Sequence, residues 1–489
     1  ARVKCTVMKR QDMYHVSVFL YNAYRRENQY PKQEEVMFQA KLSVQLDREV
    51  LSTFSSKSDQ YNLQDELLYR DQKEVVIGHG VGVDWEITED EATLYTTWLP
   101  RYELPSIAHR KLDNQLFSMR RLADMSTDEL VEQLTLIPSA YKDWLEKESK
   151  KVTQLEPTLQ AEAKNNIEKI HVIINRIEEG IQLLTQKQDD TYREAFRFAN
   201  LSMMHQRAQT TVALKYRSTN KRIKPIYDGE WRLFQLAFIL MNIAGVSNRN
   251  HHDREIVDLI WFPTGGGKTE AYLGVAAYLM AYRRLSTDVS QVENYAGVTV
   301  FMRYTLRLLT TQQFQRATAL ICAAEYLRVE KPELYGEEPF SIGLWIGGDS
   351  SPNKLEKAEA ALDQLKNGED VLKSNPMQLT HCPWCGTELT PDDYDITKTG
   401  QHIQCSHVHC DFHSQEGIPV YTVDEAIYNK VPTIVIGTVD KVAQLPWKND
   451  MYELFGIKNQ YSKEKGFVYN DEKVKRGYRR IESLIPPEL

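Results

Sequence analysis

The sequence predicts a multidomain α/β protein: a β-rich N-terminal domain, a helical region, and a P-loop lobe on a parallel sheet interrupted by a zinc-binding insertion. Three observations predict it. A glycine run ending in Lys-Thr, within Trp261 to Glu270, stands between a strand-like apolar segment and a long apolar helix pattern. Alternating β-branched and aromatic residues mark residues 1 to about 105, and apolar steps of three and four take over after Ser126. Four of the six cysteines fall in two close pairs late in the chain.

A chain of 489 residues is expected to hold about three domains. Their bounds read as 1–115 for the β-rich domain, 116–225 for the helical region and linker, and 226–489 for the P-loop lobe, with the insertion at about 366–420. Hydrophobic content of 42% supports buried cores, and a formal charge of −8 gives no global sign of nucleic-acid binding. Six cysteines are too few and too clustered for a disulfide scaffold, which points to a reducing cytosol. No apolar run reaches the roughly 18 residues that span a bilayer, and Ala1-Arg2-Val3-Lys4 opens no signal peptide. A soluble cytoplasmic protein with no membrane partner is therefore expected. A start without Met and a stop at Pro486-Pro487-Glu488-Leu489, which reads as the entry to another strand, make a piece of a longer protein the further expectation.

In the N-terminal part, Tyr14 to Tyr21, Val36 to Val44, Val75 to Ile77 and Ala92 to Trp98 read as half-buried strands of a sandwich or barrel without a catalytic constellation. In the helical region, Ser126-Thr127-Asp128-Glu129 offers an N-terminal cap and Pro157 a first-turn proline. Ile167, Ile170, Ile174, Ile177, Ile181 and Leu184 form one apolar stripe, read as an intramolecular helical hairpin in preference to a dimerising coiled coil. Lys215, Arg217, Lys221, Arg222 and Lys224 read first as a solvated linker, with a phosphate-contacting patch as the alternative.

The glycine run has the chemistry of a phosphate cradle. Gly265, Gly266 and Gly267 let the backbone curl with its N–H groups inward, because positive φ costs glycine little and no Cβ blocks a polyphosphate. Lys268 then reaches the β and γ phosphates of ATP, and the Thr269 hydroxyl is placed to ligate Mg²⁺. Ile256 to Phe262 reads as a largely buried strand before the loop, and Ala271 to Leu285 as the helix after it. Further strands are read at Val298 to Met302, Ile342 to Ile346 and Thr433 to Lys441.

Cys382-Pro383-Trp384-Cys385-Gly386 with Cys405 and Cys410 gives C-x₂-C-x₁₉-C-x₄-C, two pairs able to close a tetrahedral structural Zn²⁺ site. The second spacing is long, so His407 or His409 in place of a cysteine stays open. Asp424-Glu425 has the spelling of an acidic metal-binding box. It is rejected as one, because Pro419 in its lead-in argues against a buried central strand.

Pro263-Thr264-Gly265-Gly266-Gly267-Lys268-Thr269-Glu270 resembles motif I of superfamily 2 helicases. Trp231-Arg232-Leu233-Phe234-Gln235-Leu236 resembles their Q motif, in which the aromatic ring stacks on adenine and the glutamine reads its edge. Arg303-Tyr304-Thr305-Leu306-Arg307 through Gln312 to Arg316 is similar to motif Ia, Gly347-Gly348 to motif Ib, and Ile436 to Lys441 with Thr438 to motif Ic. Hydroxyls, amides and arginines at a helix start suit phosphate oxygens. Together with the Cys-Pro-Trp-Cys-Gly turn, these segments resemble the DrmA-like helicase subunits of DISARM anti-phage defence systems over about residues 196 to 489.

That resemblance implies a RecA-like first motor lobe and an ATP-dependent helicase or translocase. It implies DNA as partner, single-stranded or with a single-stranded end, together with a DISARM partner subunit and methyltransferase. It further implies that the Asp-Glu box and second lobe lie beyond Leu489, so this chain alone is expected to hydrolyse ATP poorly. A nucleotide-switched DNA-binding or assembly module is the alternative. A small-molecule kinase leaves the segments after Phe301 unexplained.

Overall fold

The computed structural model describes residues 1–10, 13–24, 32–53, 63–71, 74–101, 117–261, 265–305, 307–447 and 449–489. Residues 1–108 with 146–169 form one compact unit, and residues 109–145 with 170–489 another.

In the first unit β1 (Arg2–Arg10) and β2 (Met13–Tyr21) pair antiparallel as a hairpin, Arg2 opposite Tyr21. A separate antiparallel sheet joins β3 (Ser43–Asp47), β4 (Gly82–Ile87) and β5 (Glu91–Thr97), with β5 central. The expected sandwich or barrel is absent among the described residues. Val3, Val7 and Val16 share one face of the hairpin and stay exposed, because alternation supplies an apolar face but no second layer covers it among the described residues. The strand expected at Val36 to Val44 starts only at Ser43, and none forms at Val75 to Ile77. Leu67 of α1 (Leu63–Leu68) packs instead with Val152, Leu159 and Ala163.

The second unit begins with α2 (Met119–Asp124) and the part of α3 (Thr127–Lys151) up to Leu145. The cap of α3 forms as its residues dictate: Ser126 N–H and Oγ donate to Glu129 Oε2 at 2.8 and 2.7 Å, and Glu129 N–H returns to Ser126 Oγ at 3.4 Å. α4 (Pro157–Thr185) starts on its proline and runs into α5 (Thr191–Thr219). Ile174, Ile177, Ile181 and Leu184 are buried, the last three in one core with Phe196, Ala199 and Met203 of α5. The later part of the stripe is intramolecular core, while Ile167 and Ile170 at its start are half-buried.

α5 also packs on α7 (Lys268–Leu285), which lies against α6 (Leu233–Ser247). There follow β6 (Val300–Tyr304), α8 (Arg307–Glu330), α9 (Pro332–Tyr335), β7 (Ile342–Trp345) and α10 (Leu355–Lys366). The cysteine-bearing insertion contributes the hairpin β8 (Tyr394–Thr397) and β9 (Gly400–Ile403). Then come β10 (Val420–Tyr421), α11 (Asp424–Lys430), β11 (Ile434–Thr438) and α12 (Val439–Ala443). A last antiparallel sheet joins β12 (Gln460–Ser462), β13 (Gly466–Val468) and β14 (Arg479–Arg480).

Four of these strands form a parallel sheet in the order β10-β7-β11-β6, with Ile434 of β11 opposite both Ile342 and Val300. Every residue of β11 is buried, the continuous apolar run of a strand covered on both faces. β10 is a two-residue edge strand after Pro419, where a missing N–H costs no ladder bond.

One expected strand does not form. Ile256 to Trp261 has no ladder, and Val257, Leu259 and Trp261 are 94%, 84% and 86% exposed. On its side away from β11, β6 is bonded to the C-terminal residues instead. Leu489 N–H donates to Thr299 O at 3.2 Å, and Phe301 N–H to Leu489 O at 2.8 Å. An apolar run becomes a buried strand only beside a paired neighbour, and this one has none. Its position is set from outside the sheet. Arg176 of α4 clasps Asp258 through two bonds of 2.7 Å and lies 2.7 Å from Asp253.

Candidate functional site

Residues Gly265 to Glu270 join this exposed segment to α7; Thr264, with Phe262 and Pro263, lies outside the described residues. Gly265 and Gly267 take φ of 81° and 85°. A Cβ on Gly267 would lie 2.7 Å from Gln235 Nε2 and 3.3 Å from Glu270 Oε2, so the left-handed turn and the crowding both require glycine. Gly267, in the left-handed conformation, is the N-cap of α7 and supplies no side-chain oxygen to the first turn. Such a helix start favours an anion.

Gln235, in the first turn of α6, is buried and uses both ends of its amide. Its Oε1 accepts from Arg232 N–H at 2.8 Å and its Nε2 donates to Gly267 O at 2.7 Å. Arg232 also donates to Gly266 O. Phe234 is half-buried beside them. The glutamine thus braces the loop, and an adenine edge would have to share its amide. Thr269 is 9% exposed and its Oγ1 accepts from Tyr272 Oη at 3.1 Å, while Glu270 stands 3.6 Å from Arg316 of α8.

At the carboxyl ends of β6, β7 and β11 lies a cavity of about 180 Å³ lined by Thr305, Gly347, Gly348 and Thr438, together with Asn353 and Lys441. Three segments far apart in sequence thus meet where parallel α/β sheets place ligands. Arg303 and Gln312 are exposed but do not line the cavity, and Arg307 has its backbone in α8 with its side chain outside the described atoms. Sequence reasoning missed Asn353 and Gln444, also at the cavity wall. Neither lies in a recognisable pattern.

Lys441, 4% exposed, is ion-paired with Asp424 and sits 3.5 Å from Asn353 Oδ1. Glu425 accepts from Leu355 N–H at 2.9 Å at the start of α10. Asp424 and Glu425 therefore open α11 after an edge strand and are engaged with structural partners.

In the insertion, the Sγ atoms of Cys382, Cys385, Cys405 and Cys410 lie within 4.8 Å of one another and are buried. Cys385 Sγ is 3.6 Å from Cys405 Sγ, and Cys382 Sγ 3.9 Å from Cys410 Sγ. Tetrahedral Zn²⁺ with Zn–S near 2.3 Å needs edges of about 3.8 Å, so the four sulfurs fit the ion. His407 and His409 are not in this group. Gly386 (φ 79°) closes the first turn so tightly on α5 that a Cβ would meet Ala213 O at 2.6 Å. Cys382 N–H donates to Thr387 O at 2.8 Å and Gly386 N–H to Cys382 O at 2.9 Å. The linker cation Arg222 donates to Thr387 Oγ1 at 2.9 Å, while Lys215, Arg217, Lys221 and Lys224 are exposed.

Trp384 of this turn packs against Tyr326 and stacks near His205, whose ring centroid is 4.7 Å from Tyr227. Burial, with the charge of Arg120 second, holds His205 below its ordinary range against the opposing pull of Asp411, and its Nδ1 has no hydrogen-bond partner. A histidine lowered on folding is neutral in the folded chain and takes up its proton first when unfolded. Stability is then complete above the unfolded pKa, near 6.5, and declines as pH falls below it. His205→Phe is expected to flatten the fall of the thermal midpoint between pH 7 and pH 5 in a buffer series; an unchanged slope would exclude the histidine as its source.

No family model matches the chain. It is 36% identical over 514 aligned residues to "DISARM protein DrmA" of Bacillus paralicheniformis, an alignment covering 98% of this chain and 44% of that protein. The chain spans less than half the length of this relative. No helix among the described residues is long and apolar enough to cross a membrane.

Proposed function

We propose that this chain, a DrmA-like DISARM subunit by its similarity, is the nucleotide-binding half of an ATP-dependent nucleic-acid helicase or translocase serving anti-phage defence, with DNA as its track. The observation that carries the reading is the convergence of Thr305, Gly347, Gly348 and Thr438 on one cavity at the strand ends. The end of β6 is tied to the loop of Gly265 to Thr269 through Tyr272, whose Oη donates to Thr269 Oγ1 and is hydrogen-bonded to Tyr304 Oη. In this reading the fold is a RecA-like lobe braced by the helices of residues 116–225, and residues 1–115 offer a docking module for the DISARM partner subunit and methyltransferase.

The division of labour follows from the groups present. The loop N–H groups and Lys268 hold the β and γ phosphates, and Phe234 packs on the adenine face with Gln235 sharing its amide with the base. Thr269 supplies the hydroxyl for Mg²⁺, whose chemistry is to neutralise charge on the phosphates. Thr305, Thr438 and the backbone N–H groups at Gly347 and Gly348 contact phosphodiester oxygens, with Arg303, Arg307 and Gln312 as further candidates for the same strand. Cys382, Cys385, Cys405 and Cys410 hold a structural zinc that leaves no open position for catalysis.

The test is binding of a fluorescein-labelled oligothymidine strand by anisotropy. The double variant Thr305→Ala/Gln444→Ala removes two polar side chains from the cavity wall, and is expected to weaken binding about tenfold, two contacts of roughly 0.7 kcal/mol each. Wild-type affinity in that variant, or no binding by the unmodified chain, would refute the assignment of this cavity to nucleic acid.

A further inference from the structure

Between the glycine loop and the strand-end cavity lies one chain of hydroxyl and amide groups. Tyr272, one turn into α7, has its Oη 3.1 Å from Thr269 Oγ1, 3.1 Å from Tyr304 Oη and 3.4 Å from Gln313 Oε1. Tyr304 is the last residue of β6 and is followed by Thr305 of the cavity wall; Gln313 lies on α8, which begins at Arg307. All four side chains are buried or half-buried.

A phenol has one hydrogen to give. Two of the three neighbours of Tyr272, Thr269 Oγ1 and Gln313 Oε1, are placed to accept it, and they cannot both receive it fully. Tyr304 therefore donates to Tyr272, consistent with burial and this bond holding the Tyr304 phenol protonated. The shorter contact gives the hydrogen to Thr269.

We propose that Tyr272 is a positioning residue that couples occupancy of the glycine loop to the grip of the strand-end cavity, by passing one hydrogen between Thr269 and Gln313. The inference rests on the nucleotide and nucleic-acid reading above. Once Thr269 Oγ1 faces the cation and phosphates of a bound nucleotide, positive charge on that oxygen makes it a poorer acceptor. Tyr272 then turns its hydrogen to Gln313 and draws the start of α8 toward α7, where Glu270 and Arg316 already pair across the same gap. Tyr304 follows the phenol it donates to, and Thr305 moves with the end of β6. Because coupling between two binding sites is reciprocal, a strand that pulls on Thr305 alters nucleotide affinity by the same factor.

The experiment measures oligothymidine affinity of the chain with and without a saturating non-hydrolysable ATP analogue and Mg²⁺. The ratio is the coupling factor. In the unmodified chain it differs from one. Tyr272→Phe keeps the ring and removes the hydroxyl, and is expected to bring the factor toward one by up to about fivefold, the worth of one ordinary hydrogen bond, with each separate affinity within about twofold of wild type. Tyr304→Phe leaves the bond from Tyr272 to Thr269 in place and cuts the link to β6; it is expected to act in the same direction, and carries the test if Tyr272→Phe does not fold. A factor of one in the unmodified chain, or an unchanged factor in both variants, overturns the inference while leaving the two binding sites standing. Failure of the unmodified chain to bind either ligand removes the functional reading itself, and with it the coupling, before any variant is made.

Discussion

Lys268→Ala is expected to weaken binding of Mg-ATP by about a hundredfold while the thermal midpoint stays that of the parent chain. Lys268 opens α7 directly after Gly267, where the backbone turns through positive φ and the helix start has no side-chain cap. Its ammonium can make charge-assisted bonds to two phosphates at roughly 1.5 kcal/mol each, and about 3 kcal/mol is a little over a hundredfold in affinity. Binding is not abolished, because the loop N–H groups and the dipole of α7 remain. Titration of a fluorescent ATP analogue reads the change. An affinity within twofold of wild type would show that the loop, although shaped for an anion, does not hold nucleotide through Lys268. Turnover in the same samples adds a second arm: rapid hydrolysis by this chain, lost in Lys268→Ala, would return Asp424 and Glu425 to consideration despite their partners.

Cys382→Ser is expected to lower zinc from one ion per chain to a small fraction of that and to depress the thermal midpoint strongly. The binding energy of structural zinc in small zinc peptides is on the order of 10 kcal/mol or more, and here the ion would close an insertion with few strands of its own. The lesion would not stay local. Cys382, Trp384, Leu389, Tyr394, Ile403 and Phe412 belong to the same buried cluster as Phe196, Met203 and Leu320, so loss of the turn uncovers α5 and α8. Elemental analysis and thermal unfolding of the variant beside the parent chain decide the matter. A metal-free parent chain, or a variant that keeps both its zinc and its midpoint, would show four reduced packing cysteines instead.

Signals carried by neighbours in sequence were legible. The cap at Ser126 and Glu129, Pro157 at the start of α4, the Ile174 to Leu184 stripe and the helix after Lys268 each depend on residues within a few turns of one another, where period and cap chemistry suffice. The first cysteine pair was legible for a related reason: two intervening residues bring the sulfurs of Cys382 and Cys385 to one side of a tight turn, whereas the four between Cys405 and Cys410 left a histidine alternative open that only the structure closed. Alternation in the N-terminal part located strands without saying what would cover them, and the exposed β1–β2 hairpin is the result.

From the sequence alone came the glycine loop, the cysteine set, the helical stripe and the order of motif-like segments, because each is written in local spacing. Only the tertiary structure decided the rest. It brought Thr305, Gly347 and Thr438 to one cavity through the strand order β7-β11-β6, which joins residues about a hundred positions apart and which no local pattern encodes. It left Val257, Leu259 and Trp261 in solvent, since an apolar run cannot reveal whether a neighbouring strand will pair with it. It also gave Gln235 to Gly267 and Tyr272 to Thr269, contacts fixed by how α6, α7 and α8 pack, where a hydrogen bond depends on placement within a few tenths of an ångström.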